Sequence, residues 1–173
     1  MCGNTKQRIA DVLRQLMAEK PFEKITVRNL MDATNMQRQS FYYHFRDTRD
    51  VLMWICTRNF MMPLRESDLG FADWIIFGMR LLEEDRSFYR KAIRAVYLDF
   101  VTEFDEQVMI PRVCGVLYPG VKDLDDNRAF TAEFIAQALT NRLVQFVRAR
   151  TPLEENRIRE RTAFLLRTLG AGE

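Results

Sequence analysis

The residues best equipped for chemistry stand close together. From position 37 the chain runs Gln37-Arg38-Gln39-Ser40-Phe41-Tyr42-Tyr43-His44-Phe45-Arg46-Asp47-Thr48-Arg49. On a helix turning about 100° per residue, Phe41 and Phe45 share one face, Gln39 and Tyr43 point nearly the opposite way, and Tyr42 and Arg46 lean outward. Each outward group suits a DNA duplex. Glutamine pairs with the N6 and N7 edge of adenine and arginine with O6 and N7 of guanine. Tyrosine and serine hydroxyls and helix-terminal amides reach phosphate oxygens. Thr26 stands at a predicted helix start, where a hydroxyl and the positive end of a dipole meet, and Thr48 and Arg49 repeat that arrangement one helix later. The same residues also fit a three-helix subdomain whose aromatic surface packs elsewhere, and helical geometry alone leaves both readings open.

Other chemistries are poorly served. The chain holds a single histidine, His44, so a di-metal bundle built from paired Glu-x-x-His motifs is excluded. No Cys, Asp or Glu lies at convincing ligand spacing around His44, and Asp47 is better used as a helix cap. No glycine loop shaped to cradle phosphate is present. Cys2, Cys56 and Cys114 form no paired framework and no zinc spacing; Cys56, on an apolar helix, is expected to be a small core residue. The expectation is a non-enzyme with no catalytic residue, no metal and no cofactor. The start lacks an apolar signal core and the longest strongly apolar run, 74–79, is far short of a membrane span, which points to the cytoplasm and away from a membrane.

The elements that must position the outward row are helices throughout. Seven Gly and five Pro in 173 residues are few breakers, and 47% of residues are hydrophobic. Ile9, Val12, Leu13, Leu16 and Met17 mark a first helix, with Asn4 or Thr5 to cap it and Pro21 to end it. Val27, Leu30 and Met31 mark a short second helix that ends at a tight turn around Asn35, a residue that tolerates left-handed backbone. A third runs from about 37 to 44. A fourth, about 48–61, is capped by Asp47 or Thr48 and stopped by Pro63. Segments 71–84 and 86–106 follow, then an irregular stretch over 107–123. A long helix spans about 126–150, and Thr151-Pro152-Leu153-Glu154 reads as a capping box opening the last helix, which Gly170 closes. No strand pattern appears. The predicted fold is all-α: an N-terminal three-helix helix-turn-helix domain over 1–50 and a C-terminal helical bundle over 51–173 for effector binding and dimerisation. The head carries nine Lys/Arg against six Asp/Glu, a net +3, and the body seventeen against eighteen, a net −1; that asymmetry is compatible with a polyanion at the head.

The stretch 22–45, and above all Ser40-Phe41-Tyr42-Tyr43-His44-Phe45 followed by Arg46-Asp47-Thr48-Arg49-Asp50-Val51-Leu52, resembles the signature of the TetR/AcrR family of bacterial transcriptional regulators over about residues 5–55. The resemblance implies that the third helix enters the major groove. Position by position it implies Thr26 and Arg28 approaching phosphates from helix two, and Gln37, Arg38, Gln39 and Ser40 opening the reading helix. Gln39 and Tyr43 lie nearest the bases, Tyr42 and His44 clamp the backbone, and Arg46, Thr48 and Arg49 touch phosphate beyond. Asn35 stands where the family's turn usually has glycine, and Gln39 and Ser40 replace its usual small residues.

The resemblance also implies a homodimer on a palindromic operator, the last two helices packing against their symmetry mates. Ile135, Leu139, Leu143, Phe146, Leu153, Ile158, Phe164, Leu165 and Leu169 would supply that interface. Trp54, Phe60, Trp74, Phe77, Phe88, Tyr89 and Tyr97, with Met79, are the candidates for an effector pocket between helices four to six, gated by 107–123. The short, Phe-rich body is similar to the DhaS-like branch, named for an activator of dihydroxyacetone-kinase genes, which brings in a partner protein as a possible signal. The expected function is a transcriptional regulator, a repressor released by a small-molecule or protein effector. The alternative is a helical ligand-sensing or interaction module without DNA binding.

Overall fold

A computed structural model describes residues 2–149 and 151–171. α1 (Cys2–Glu19) begins upstream of the expected cap and buries Ile9, Ala10, Leu13 and Met17. A single 3-10 turn at Phe22–Lys24 leads to α2 (Val27–Thr34) and α3 (Arg38–His44). α4 (Thr48–Cys56) is capped by Asp47, whose carboxylate accepts from the amide of Asp50 at 2.9 Å.

Pro63 does not end this helix. A π turn, Thr57–Met61, follows α4 and passes into α5 (Met62–Glu66), where Pro63 occupies the first turn. The Met62 amide donates to the carbonyl of Thr57, five residues back. Widening the helix just before a proline shifts the carbonyl register past the ring, and a first-turn proline leaves no amide wanting a partner. The device recurs. α8 (Tyr97–Phe104) widens into a π turn, Asp105–Met109, ahead of Pro111 in α9 (Ile110–Leu117). The segment expected to be irregular over 107–123 is therefore helical to Leu117, and only 118–125 departs from helix.

α6 (Phe71–Glu84) and α7 (Arg86–Ala95) connect these two segments along the chain. Val96, at φ −127° and ψ 37°, breaks what periodicity predicts as one helix over 86–106. α10 (Asp126–Arg148) carries the long stripe; Arg150, the expected end of that helix, lies outside the described residues. The capping box expected at 151–154 does not form, and α11 (Glu155–Thr168) starts later without a side-chain cap. Arg86 explains the delay: its guanidinium donates to the carbonyls of Ala149 (3.0 Å) and Thr151 (3.1 Å), holding the connection extended against the start of α7. Gly170, at φ +71°, closes α11 as expected, with Gly170 N–H donating to Arg167 and Ala171 N–H to Leu166.

The centre of the core is aromatic. Phe60, fully buried, lies 5.1 Å from Phe104 and 5.9 Å from Phe100, ring centre to ring centre, and 6.0 Å from Tyr89. The Trp74 indole N–H, buried between α5 and α6, donates to the Leu64 carbonyl at 2.8 Å. The expected effector lining is thus packed solid at Phe60, Trp74, Phe88 and Tyr89. Trp54 and Phe77 pack against the same core, and Tyr97 is exposed on the surface beneath Arg148. A cavity of about 440 Å³ lies elsewhere, between α6, α10 and α11, and shares only Met79 with the expected set. Helical periodicity marks a residue as inward; it does not say whether a neighbour or a void faces it.

α11 rests on α6, pinned by Arg159–Asp73 at 2.9 Å and Arg80–Glu155 at 2.5 Å. Of the expected interface residues, Leu143 and Phe146 are buried within the protomer. Leu139, Leu153 and Ile158 line the cavity, and Ile135 and Leu165 pack beside Phe71 and Val113. Phe164 (66% exposed) and Leu169 face outward, joined by Phe130 (67%) and Phe134 (65%) of α10, whose rings stack at 6.2 Å.

Candidate nucleic-acid interface

Local chemistry dictates the head. Thr26 Oγ1 accepts from the Asn29 amide at 3.2 Å while Asn29 Oδ1 accepts from the Thr26 amide at 3.1 Å, a reciprocal cap that fixes where α2 begins. The Thr26 hydroxyl still has its own proton to donate. α2 ends at Asn35, whose backbone takes the left-handed conformation (φ 52°, ψ 41°). The Met36 amide reaches back to the Met31 carbonyl at 3.1 Å, closing the turn. Asparagine here does the work expected of glycine because its short side chain tolerates that region.

α3 then leaves the turn with Phe41 and Phe45 buried against α1, α2 and α4, their rings 6.0 Å apart. Burying that pair turns the opposite face to solvent. Gln37, Arg38 and Gln39 are exposed, Tyr42 is 49% exposed and Tyr43 79%, and Ser40 and His44 are half-buried at the edges. Gln37 precedes α3 without a side-chain cap, so its first amides are free to meet an anion. Arg38 donates to the Tyr42 hydroxyl at 3.0 Å and stands 5.5 Å from its ring centre, which holds both side chains along the helix. Tyr43 meets the His44 ring edge-on at 4.9 Å.

The remaining expected contacts flank this row. Arg28 lies 3.6 Å from Asp32, Arg46 3.7 Å from Asp50, and Arg49 2.9 Å from Asp99 of α8. All three pairs are largely solvated, so each is exchangeable for a phosphate at small cost. Thr48, half-buried, opens α4 beside its cap Asp47. The twelve sequence-derived positions fall on α2, α3, the start of α4 and the residues flanking them, with Gln39 and Tyr43 exposed on α3.

Sequence spacing missed the residues joining this surface to the body. Arg14 of α1 pairs with Asp85 at 2.5 Å and lies 4.4 Å over the Phe88 ring. Lys91 Nζ donates to the Met17 carbonyl at 2.6 Å near the end of α1, and Asp99 holds Arg49. These partners are 71, 74 and 50 residues apart, beyond any periodic signal. Among the described residues no group of three His, Cys, Asp or Glu is placed to hold a metal ion, and no helix is long and apolar enough to cross a membrane. Burial pushes the Cys56 thiol up to about 12.

Comparison with known proteins agrees with this geometry. Residues 9–53 match the family model for bacterial regulatory proteins of the tetR family. The chain is similar to the HTH-type dhaKLM operon transcriptional activator DhaS of Lactococcus lactis subsp. lactis (strain IL1403), at 27% identity over 89 residues. That alignment covers 50% of this chain and 48% of the relative, so the chain spans about half the length of the curated protein it matches. Among solved structures it resembles a dihydroxyacetone kinase operon activator DhaS, with a TM-score of 0.68 and 22% identity over 96% of both chains, a likeness of fold.

Proposed function

We propose that this chain, whose residues 9–53 match the model for bacterial regulatory proteins of the tetR family, is a homodimeric regulator that reads a palindromic DNA operator through α3. The observation that carries the reading is the split character of α3: Phe41 and Phe45 are sealed inside while Gln39 and Tyr43 stand in solvent. A helix placed so presents its row to a major groove. Thr26, Arg28, Tyr42, His44, Arg46, Thr48 and Arg49 hold the phosphates on either side, and Gln37, Arg38 and Ser40 open the helix at the groove edge.

The second head is supplied by a second copy. Phe130, Phe134, Phe164 and Leu169 leave an apolar face on α10 and α11, and exposed patches of large apolar side chains mark association surfaces. Residues 1–50 act as the DNA-binding unit and 51–173 as the dimerisation and effector unit. An effector, small molecule or protein, favours one of two dimer shapes that differ in the spacing of the reading helices. We propose repression relieved by the effector. Activation is the second reading, favoured by the description of both relatives as operon activators.

Fluorescence anisotropy with duplex from the region upstream of the protein's own gene tests the proposal. Wild type is expected to bind a defined segment, with affinity falling steeply as salt rises. Gln39→Ala is expected to lose discrimination at one base position, about 1–3 kcal/mol. Uniform weakening on every sequence contradicts its base-reading role. Binding no tighter than to random duplex would overturn the DNA reading and leave a ligand-sensing or interaction module. A promoter-reporter strain with and without the chain reads the sign.

A further inference from the structure

We propose that the cavity between α6, α10 and α11 binds a small amphipathic anion, an apolar body carrying a carboxylate or phosphate head. Its volume, about 440 Å³, falls within the range of small-molecule sites. Met79, Leu139, Leu143, Phe146 and Ile158 form an apolar floor. The mouth is different in kind: Arg142, Arg157 and Arg161 line it with a single carboxylate, Glu154. Glu154 is spent on Arg157 at 3.0 Å. Arg142 and Arg161 have no carboxylate partner among the described residues, whereas Arg159, on another face of α11, holds both Asp73 and Glu155.

That charge pattern selects the ligand class. A cation is repelled by two uncompensated guanidiniums. A neutral apolar molecule fills the floor but strips water from the arginines without replacing its hydrogen bonds. An anionic head offers the planar forks the paired, charge-assisted bonds they are shaped for.

The cavity wall is also tied to the head. Arg86 lies 4.2 Å over the ring of Phe146 and donates to the carbonyls of Ala149 and Thr151, three lining residues. Its neighbour Asp85 holds Arg14 of α1. Occupancy that shifts this wall therefore pulls on the anchor of the DNA-binding unit. That consequence rests on the regulator proposed above; the binding does not.

Isothermal titration of the full chain, with no DNA present, separates the two. Decanoate and decyl phosphate are the probes, decanol and decyltrimethylammonium the controls. Saturable one-to-one binding is expected for at least one anion, and the two anions together tell which head the mouth prefers. Arg142→Gln with Arg161→Gln is expected to weaken binding about tenfold or more with unchanged circular dichroism and melting. Leu139→Trp, which fills the floor, is expected to abolish it. Decanol binding as tightly as the anions, an unchanged affinity in the double arginine variant, or no saturable binding of either anion overturns the proposal. Should the anion bind while DNA affinity stays constant on occupancy, the site stands and its link to the operator fails.

Discussion

Asp99→Asn should tighten DNA binding although Asp99 belongs to the body and touches no predicted DNA contact except Arg49. Arg49, at the start of α4, lies 2.9 Å from Asp99 of α8, and both side chains are about half exposed. An ion pair so solvated contributes about 0.2–1 kcal/mol. A phosphate recruiting Arg49 must first take it from Asp99, so the pair subtracts that amount from DNA affinity. Removing the carboxylate returns it in both protomers, about 0.4–2 kcal/mol per bound dimer, and the dissociation constant should fall by up to about 25-fold, at about 1.4 kcal/mol per factor of ten. The cost to folding is bounded by the figure for one pair, under about 1 kcal/mol in a urea melt. The assay is anisotropy on one duplex over a salt series with four proteins: wild type, Asp99→Asn, Arg49→Ala and the double variant. Arg49→Ala should flatten the log–log salt slope by about 1.8, one phosphate contact from each protomer of the dimer. In that background Asp99→Asn should be silent. An equal gain from Asp99→Asn with and without Arg49 would mean that a negative charge had merely been removed from the field of the DNA, and would falsify competition at Arg49. Weaker binding in Asp99→Asn would show instead that Asp99 presents Arg49 to the phosphate.

Three further outcomes are expected. Phe60→Ala should cost about 3–5 kcal/mol in chemical denaturation, because Phe60 fills the aromatic centre; a loss under about 1 kcal/mol would mean that a void already stood there. Cys56 should resist iodoacetamide at pH 8 in the native protein and react after denaturation, by peptide mass mapping, since burial holds its thiol protonated with a value of about 12. Asp105 is raised by burial, with the Thr140 hydroxyl hydrogen bond opposing that rise. A raised carboxyl binds more protons folded than unfolded, so its contribution to stability is greatest below its unfolded pKa and is lost as pH climbs through the folded one. Asp105→Asn should therefore raise the melting temperature at pH 7 and lose that advantage toward pH 4. A gain that grows with acidity would reverse the sign and sink the assignment.

How far the fold is legible in the sequence depends on the range of the forces involved. The Thr26 cap, the left-handed Asn35 and the inward pair Phe41 and Phe45 each arise within a few residues, and all three are where local rules put them. The outward row Gln39–Tyr43 follows from the same pair, since burying one side of a helix exposes the other. Local rules failed where a distant partner competed. Thr151-Pro152-Leu153-Glu154 has the composition of a helix start, yet Arg86, more than sixty residues earlier, takes the carbonyls of Ala149 and Thr151 and delays α11. Pro63 reads as a stop because proline breaks an α-helix, and Pro111 falls in the stretch expected to be irregular; each is accommodated by a π turn stabilised by the core packing of Phe60, Met61, Val108 and Met109 around it.

The body shows the boundary most clearly. Apolar spacing alone determined that Leu139, Leu143, Phe146 and Ile158 point inward along their helices, and helix geometry is indifferent to what lies opposite. Only the seating of α11 on α6 decided that these side chains line a cavity within the protomer, leaving Phe130, Phe134 and Phe164 exposed. In the same way the residue types between 26 and 49 announce a surface suited to a duplex, while the tertiary structure alone placed Asp85 and Asp99 against Arg14 and Arg49. Side-chain direction is set by the backbone within a turn or two; the identity of the opposing surface is set by packing between segments far apart in the chain.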